Sequence, residues 1–279
     1  MDPAAPRHGL SVELVDGVAV VTIDNGPVNL FDLGLYQSMA TLADELAADD
    51  GVRVVVLRSA NPDFFIAHFD VGLILRFPTG GDEVGAAPTE LNPFHAMCEA
   101  MRTMPKATIA VIEGRVGGGG SELALSCDMR FAALGRAVFN QPEVALGIIP
   151  GGSGTVRLGR LIGRSRALET VLGCDDVDAA TAERWGWVNR ALAPDVLWPF
   201  VDRLARRIAG FPPHAVRAAK EAVLRAERGV VEDLLAEGAA FDATLGEPRA
   251  CAAMEAFLAN GGQTPEGELR LGELAGELS

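Results

Sequence analysis

The sequence is short of positive charge, of cysteine and of long apolar runs. Lys and Arg total 24 against 38 Asp and Glu, a formal net charge of −14 with a pI near 4.7. That balance argues against nucleic acid and against an anionic membrane surface as partners. An anionic ligand would need a local basic patch. The four cysteines, Cys98, Cys127, Cys174 and Cys251, are scattered and form no C-x-x-C pair. They read as reduced, mostly buried residues of a cytoplasmic protein. Four histidines without an H-E-x-x-H motif give no expected metal site. No apolar run approaches the roughly 18 residues that span a bilayer, and Met1–His8 lacks the apolar core of a signal peptide. The expected location is cytoplasmic.

What is present is a chain of 279 residues, 49% hydrophobic and 22% charged. This is the composition of a globular protein able to bury a sizeable core. Ser11 to Asp24 alternates around Asp16-Gly17 and predicts a β-hairpin. Leu33 to Ala48 has helical spacing, and Val52 to Leu57 is a β-branched run typical of a strand buried on both faces. Asn61 to Gly72 reads as a loop, Phe77 to Pro88 as a mobile surface segment, and Leu91 to Arg102 as a helix. Strands are expected at Ala107–Ile112, Met129–Ala133, Ala137–Asn140 and Val188–Leu192. Strands alternating with helices imply an α/β core over residues 1–205. Helices at His214–Arg228, Val230–Leu245 and Glu247–Asn260 make 206–260 a helical region for packing on a neighbouring subunit. The Gly- and Glu-rich tail, 261–279, is expected to be partly disordered.

Four glycines at 117–120, followed by Ser121-Glu122, stand between a strand and a helix. A glycine run costs backbone entropy and places no side chain, so it marks a close backbone approach. At a helix start it presents free N–H groups and the positive dipole end. That suits an anion, or an oxygen that becomes anionic during reaction. The run alone fits a tight strand-to-helix turn equally well. G-x-x-x-x-G-K-[ST] is absent and no lysine follows, so a phosphate loop is excluded. Further on, Glu143 follows Pro142 at a strand-to-helix junction, ahead of a second glycine cluster. By itself Glu143 reads as a solvated carboxylate at a helix start.

Together these pieces resemble the crotonase (enoyl-CoA hydratase/isomerase) superfamily. The matching stretches are Gly118-Gly119-Gly120-Ser121-Glu122-Leu123-Ala124 with Cys127-Asp128, and Gln141-Pro142-Glu143 running on to Gly154-Thr155-Val156-Arg157-Leu158. Ala67-His68-Phe69-Asp70 stands where the family usually has Ala-Gly-Ala-Asp, and Ala182 to Val188 resembles a later family motif. The resemblance covers roughly residues 11 to 260. It implies a spiral of β-β-α units with a C-terminal helical trimerisation region, in a homotrimer or dimer of trimers. It implies an acyl-CoA thioester substrate and no separate cofactor, coenzyme A being part of the substrate. The implied catalytic pair is Glu122 and Glu143. The implied oxyanion-hole donors are the N–H groups of Phe69 and Gly119, with Ala67, His68, Asp70 and Gly118 next to the substrate.

The activity this implies is addition of water to a 2-enoyl-CoA. Double-bond isomerisation, decarboxylation and retro-aldol chemistry pass through the same thioester enolate and are the alternatives. A non-catalytic acyl-CoA- or RNA-binding trimer is the reading from another class, against which the acidity and the two glutamates count. Asp70 reads as a helix cap and Asp128 as structural. His68 reads either as an extra acid, base or donor at the hole, or as a loop residue with its ring turned away. Arg53, Arg58 and Lys220 are candidates for CoA phosphates, each also readable as a surface charge. The chain departs from the family in the bulky His68-Phe69 pair, in Gly72 where many hydratases carry a lysine, and in one extra residue between the glutamates, placed in the turn Leu134 to Ala137.

Overall fold

The computed structural model describes residues 1–77, 89–227 and 229–277. The chain opens with the hairpin of β1 (Leu10–Val15) and β2 (Val18–Ile23), paired antiparallel. Its turn places Asp16 and Gly17 at φ +51° and +79°, the two positive values that an Asp-Gly hairpin turn requires. Helix α1 (Leu33–Ala48) is capped by Asp32, whose side chain accepts the Leu35 N–H. Then the chain settles into a repeat of two strands followed by a helix. In the first repeat β3 (Val54–Ser59) and β4 (Phe64–Ile66) precede α2 (Val71–Ile74) and α3 (Pro93–Thr103). In the second, β5 (Ala107–Ile112) and β6 (Arg115–Gly117) precede α4 (Gly118–Leu125). In the third, β7 (Met129–Ala133) and β8 (Val138–Asn140) lead through a 3-10 turn (Glu143–Leu146) to α5 (Gly154–Ile162) and α6 (Arg164–Gly173). After these come β9 (Val177–Asp178), α7 (Ala179–Trp185), β10 (Arg190–Leu192) and α8 (Pro194–Ala209). The C-terminal part is helical: α9 (Pro213–Leu224), α10 (Val230–Leu245), α11 (Pro248–Ala259), α12 (Pro265–Leu269) and α13 (Leu271–Glu277).

The first strand of each repeat joins a six-stranded sheet, ordered β1-β2-β3-β5-β7-β10 and parallel beyond the hairpin. The second strand joins a smaller sheet, β4-β6-β8-β9, in which the first three run parallel. This is the expected spiral of β-β-α units. Its consequence for function is geometric. Because β4, β6 and β8 are parallel neighbours, their C-terminal ends lie side by side. Those ends deliver residues 67–70, the start of α4 and Glu143 to one place.

The glycine run is explained by how closely α4 lies on β4. A Cβ on Gly117 would fall 2.6 Å from the Ala67 carbonyl oxygen, and one on Gly120 would fall 2.5 Å from that of Ile66. All eight residues of α4 are buried, as expected of a helix without a polar face. Gly120→Ala is therefore expected to destabilise the protein by about 3 kcal/mol through overpacking against backbone, read as a lower urea midpoint at unchanged m.

Three expectations differ from the structure. The 205/206 boundary falls inside α8, which packs its Leu197, Val201 and Ala205 against the large sheet. The Asn61 to Gly72 stretch contains β4 and the start of α2; three residues are too short to show a strand period in the sequence. Within the tail expected to be partly disordered, α12 (Pro265–Leu269) and α13 (Leu271–Glu277) are ordered and bury Leu271 and Leu274 against Val71, Ile74 and Phe257. Their Gly and Glu content hides the apolar positions that dock them. Residues 78–88 of the expected surface segment lie outside the described residues. Of the cysteines, Cys98, Cys127 and Cys174 are buried, and Cys251 is exposed.

Candidate active site

Residues 67–70 and the first turn of α4 meet at backbone distance. A Cβ on Gly119 would lie 3.6 Å from the Phe69 nitrogen and 3.3 Å from the Phe69 Cβ. The strand-like pairing of Phe31 fixes the neighbours of that nitrogen. Phe31 N–H donates to His68 O at 2.9 Å, and Asp70 N–H donates to Phe31 O at 3.2 Å. Among the described residues neither the Phe69 N–H nor the Gly119 N–H meets an acceptor of the chain. Two adjacent amide donors, one of them at a helix N-terminus, are suited to receive a negatively charged oxygen.

Glu122 stands one turn into α4 and is buried. Its Oε1 accepts the N–H groups of Gly152 and Gly154, both at 2.8 Å. Both donors can face one oxygen because Ser153 between them takes φ +106°, a left-handed value uncommon for a residue with a side chain. Ser153 is held in turn: its Oγ accepts from Arg157 Nε at 2.7 Å, and Arg157 Nη2 donates to Glu99 at 2.6 Å. Burial drives the Glu122 pKa well up, with Glu143 and Glu237 adding to it, while the two amide donors pull the other way.

Glu143 opens the 3-10 turn and is also buried, and its Oε2 has no partner among the described residues. Its Oε1 lies against Gly118, where a Cβ would come within 2.8 Å. Gly118 has φ +43°, so a side chain there is opposed by both conformation and space. Burial pushes the Glu143 pKa up to about 7; His68 acts to lower it and Glu237 to raise it. Burial thus drives both carboxyls toward keeping a proton to higher pH. Glu122 has the donors that favour an anion, and among the described residues no other residue is seen to donate to Glu143.

Several residues of the site gave no signal in the sequence. Glu237 of α10 is buried; its Oε1 accepts the N–H groups of Thr155 at 2.9 Å and Val156 at 3.1 Å and the Thr155 hydroxyl. Its Oε2 lies 2.9 Å from His95 Nε2 of α3. It thus anchors the loop that carries Gly152 and Gly154, although a glutamate in an amphipathic helix reads as solvated. Phe94 packs edge-on against Phe31 and Phe69, with centroids 5.2 and 5.5 Å apart. It also lies within 3.3 Å of a Cβ on Gly119 and 2.4 Å of one on Gly152, so it walls the space between the amide donors and Glu122.

The other sequence candidates divide between the site and its supports. Ala67 is fully buried under the glycine run. Asp70 caps α2 through the Gly72 N–H at 2.9 Å and also accepts Gln263 Nε2 at 2.8 Å. The His68 ring is buried and turned toward Glu268 of α12. Asp128 accepts the Thr108 N–H and pairs with Lys220 at 2.9 Å. Lys220 also donates to Lys106 O, and Arg58 lies over Trp198 and beside Glu113; both cations are spent inside the fold. Residues 134–136, where the resemblance to the family places the extra residue between the glutamates, form an exposed turn.

Amide donors beside two buried carboxyls are groups that can stabilise an enolate oxygen and move protons near it. The model of the enoyl-CoA hydratase/isomerase family matches residues 13–259, and the chain belongs to that family. It is 32% identical over 244 residues to the short-chain-enoyl-CoA hydratase of Clostridium acetobutylicum, spanning 86% of this chain and 91% of that one. A solved structure from Streptomyces avermitilis superimposes with a TM-score of 0.88 at 39% identity, covering 98% of this chain and 99% of the other. An enoyl-CoA hydratase structure from Mycobacterium avium subsp. paratuberculosis gives 0.78 at 25% identity, covering 90% of this chain and 100% of that one.

Proposed function

We propose that this enzyme is an enoyl-CoA hydratase that uses Phe69 and Gly119 as oxyanion hole, Glu122 as base and Glu143 as acid. The observation that carries the reading is the asymmetry of the two buried carboxyls. One accepts two amide N–H bonds, and the other has an oxygen with no partner among the described residues. In the reaction, Glu122 takes a proton from water as the water oxygen bonds to C3 of the 2-enoyl thioester. The π electrons move to the thioester oxygen, whose negative charge is met by the N–H groups of Phe69 and Gly119. The Glu143 carboxylic acid then gives its proton to C2, and the carbonyl reforms. Atoms balance: one water is added, and the two carboxyls have exchanged one proton, which passes back between them to close the cycle. Fixed donors spare the solvent reorganisation that an enolate in water requires, and one such donor is typically worth about 3 kcal/mol.

The reaction uses no cofactor; coenzyme A enters with the substrate. Assembly as a homotrimer or dimer of trimers is part of the reading. It is supported by α9, which has no buried residue in the single chain and leaves Val223 73% exposed. Among the described residues no helix is long and apolar enough to cross a membrane. The test is direct. Incubation with crotonyl-CoA and with a longer 2-enoyl-CoA is expected to bleach the conjugated-enoyl absorbance and yield the 3-hydroxyacyl thioester. Absence of turnover on both overturns the hydratase reading and moves attention to isomerisation or decarboxylation.

A further inference from the structure

His68 is the departure from the family pattern that reaches furthest across the fold. Its ring links the hole loop to a helix 200 residues later in the chain. Nδ1 lies 2.7 Å from Phe69 O, and Nε2 lies 2.9 Å from Glu268 Oε1. A carbonyl oxygen has no proton to give, so Nδ1 carries one. Glu268 accepts the Gln263 N–H at 2.6 Å and its pKa is lowered; as a carboxylate it only accepts, so Nε2 donates as well. Both nitrogens being donors, the ring is an imidazolium. Burial would by itself strip that proton, but the Glu268 carboxylate overcomes it and the His68 pKa is raised, with that of Glu268 lowered. The edge of Phe257 packs on the ring at 5.6 Å between centroids and shields it from water.

His68 Cβ and Glu143 Oε1 lie on either side of the side chain that Gly118 lacks. A Cβ at Gly118 would stand 3.2 Å from His68 Cβ and 2.8 Å from Glu143 Oε1. The other charged groups around the pair are accounted for. On its own loop Asp70 is bonded to Gln263. From β6, Arg115 pairs with Asp176 and donates to Leu269 O. From α12 comes Glu268. Around Glu143 stand Glu122 of α4, Glu237 of α10 and the Cys174 thiol. Among the described residues His68 is thus the cation that acts on the carboxyl the proposed reaction uses as acid.

We propose that His68, kept charged by Glu268, is a positioning residue that sets the proton affinity of Glu143, so that docking of α12 tunes the acid of the reaction. The assignment of an acid role to Glu143 rests on the proposed function; the electrostatic link itself does not. Without the cation, Glu143 would hold its proton to a higher pH and give it up less readily to carbon. With it, the proton is released closer to neutrality. The hydrogen bond from Nδ1 to Phe69 O fixes the same loop whose N–H serves the hole, so one ring steadies both halves of the site.

The measurement is a carboxyl-carbon NMR titration of the full-length protein with labelled glutamate, Glu143 being assigned by its disappearance in Glu143→Gln. In His68→Gln the Glu143 midpoint is expected to rise by roughly one pH unit, the low end of what loss of a neighbouring opposite charge produces. Glu268→Gln is expected to give a similar rise, because a buried imidazole without its counter-ion releases its proton. The double variant is expected to add nothing further. The descending limb of the kcat–pH profile should move with the titration. An unmoved midpoint in His68→Gln, or a rise there that Glu268→Gln does not share, overturns the proposal. A nitrogen-labelled histidine titration of the wild type needs no variant to fold, and a neutral His68 at pH 7 would equally sink it. Failure of the hydratase reading shows up separately, as a wild type inert toward 2-enoyl-CoA.

Discussion

Glu143→Gln is expected to lower kcat on a 2-enoyl-CoA by about 10³-fold, within the range for losing a positioned general acid, and to make the protein more stable above pH 7. The two effects share one cause. The Glu143 carboxyl is buried, has an oxygen without a partner, and titrates at about 7 in place of its ordinary 4.5. Below pH 4.5 it is protonated in both folded and unfolded chains and contributes no difference. Between 4.5 and about 7 the unfolded chain releases the proton while the folded chain keeps it, so stability falls as pH rises. Above about 7 the loss is complete and amounts to about 3 kcal/mol. Glutamine does not titrate and escapes that loss. Thermal melts of both proteins should therefore coincide most closely near pH 4.5 and diverge toward pH 8, with the variant higher. A variant less stable at pH 8 would show that Glu143 is paired as an anion, and the acid role would fall with it. KM should change little, since an acid that acts only in the transition state contributes little to ground-state binding.

Much of this site was legible in the sequence because its parts are backbone devices with residue signatures. Four glycines announce a strand and helix too close for side chains, and the contacts of Gly117 and Gly120 with Ala67 and Ile66 bear that out. Asp16-Gly17 announced the hairpin, and the periodicity of 33–48 gave α1 to the residue. What stayed hidden are charged side chains whose partners lie far away in the chain. Nothing local in the sequence marks Glu237 for the Thr155 amide or Glu268 for the His68 ring. The same holds for α12 and α13, whose composition is that of a disordered tail and whose order comes from apolar contacts at Leu271 and Leu274. Local pattern specifies backbone conformation; long-range ion pairs are set by topology, and only the assembled sheet order brings 67–70, 118–122 and 143 together.

Glu122 should behave differently from Glu143 when it is replaced, and the contrast tests the division of roles. Glu122→Gln and Glu122→Ala are both expected to lower kcat by about 10³-fold, because neither can take a proton from water. Their stabilities should part. Glutamine keeps a carbonyl oxygen where Gly152 and Gly154 donate, so the loop stays anchored. Alanine leaves two buried N–H groups without an acceptor, each costing about 1–3 kcal/mol, in a loop already carrying the left-handed Ser153. The alanine variant is therefore expected to be about 3 kcal/mol less stable than the glutamine variant by urea unfolding. Equal stability would mean that the two amides find other partners and that Glu122 is held by something besides them. Equal loss of activity with unequal stability would fix Glu122 in two parts at once. Its charge would then serve the chemistry, and its oxygen would be the acceptor that holds the 152–154 loop.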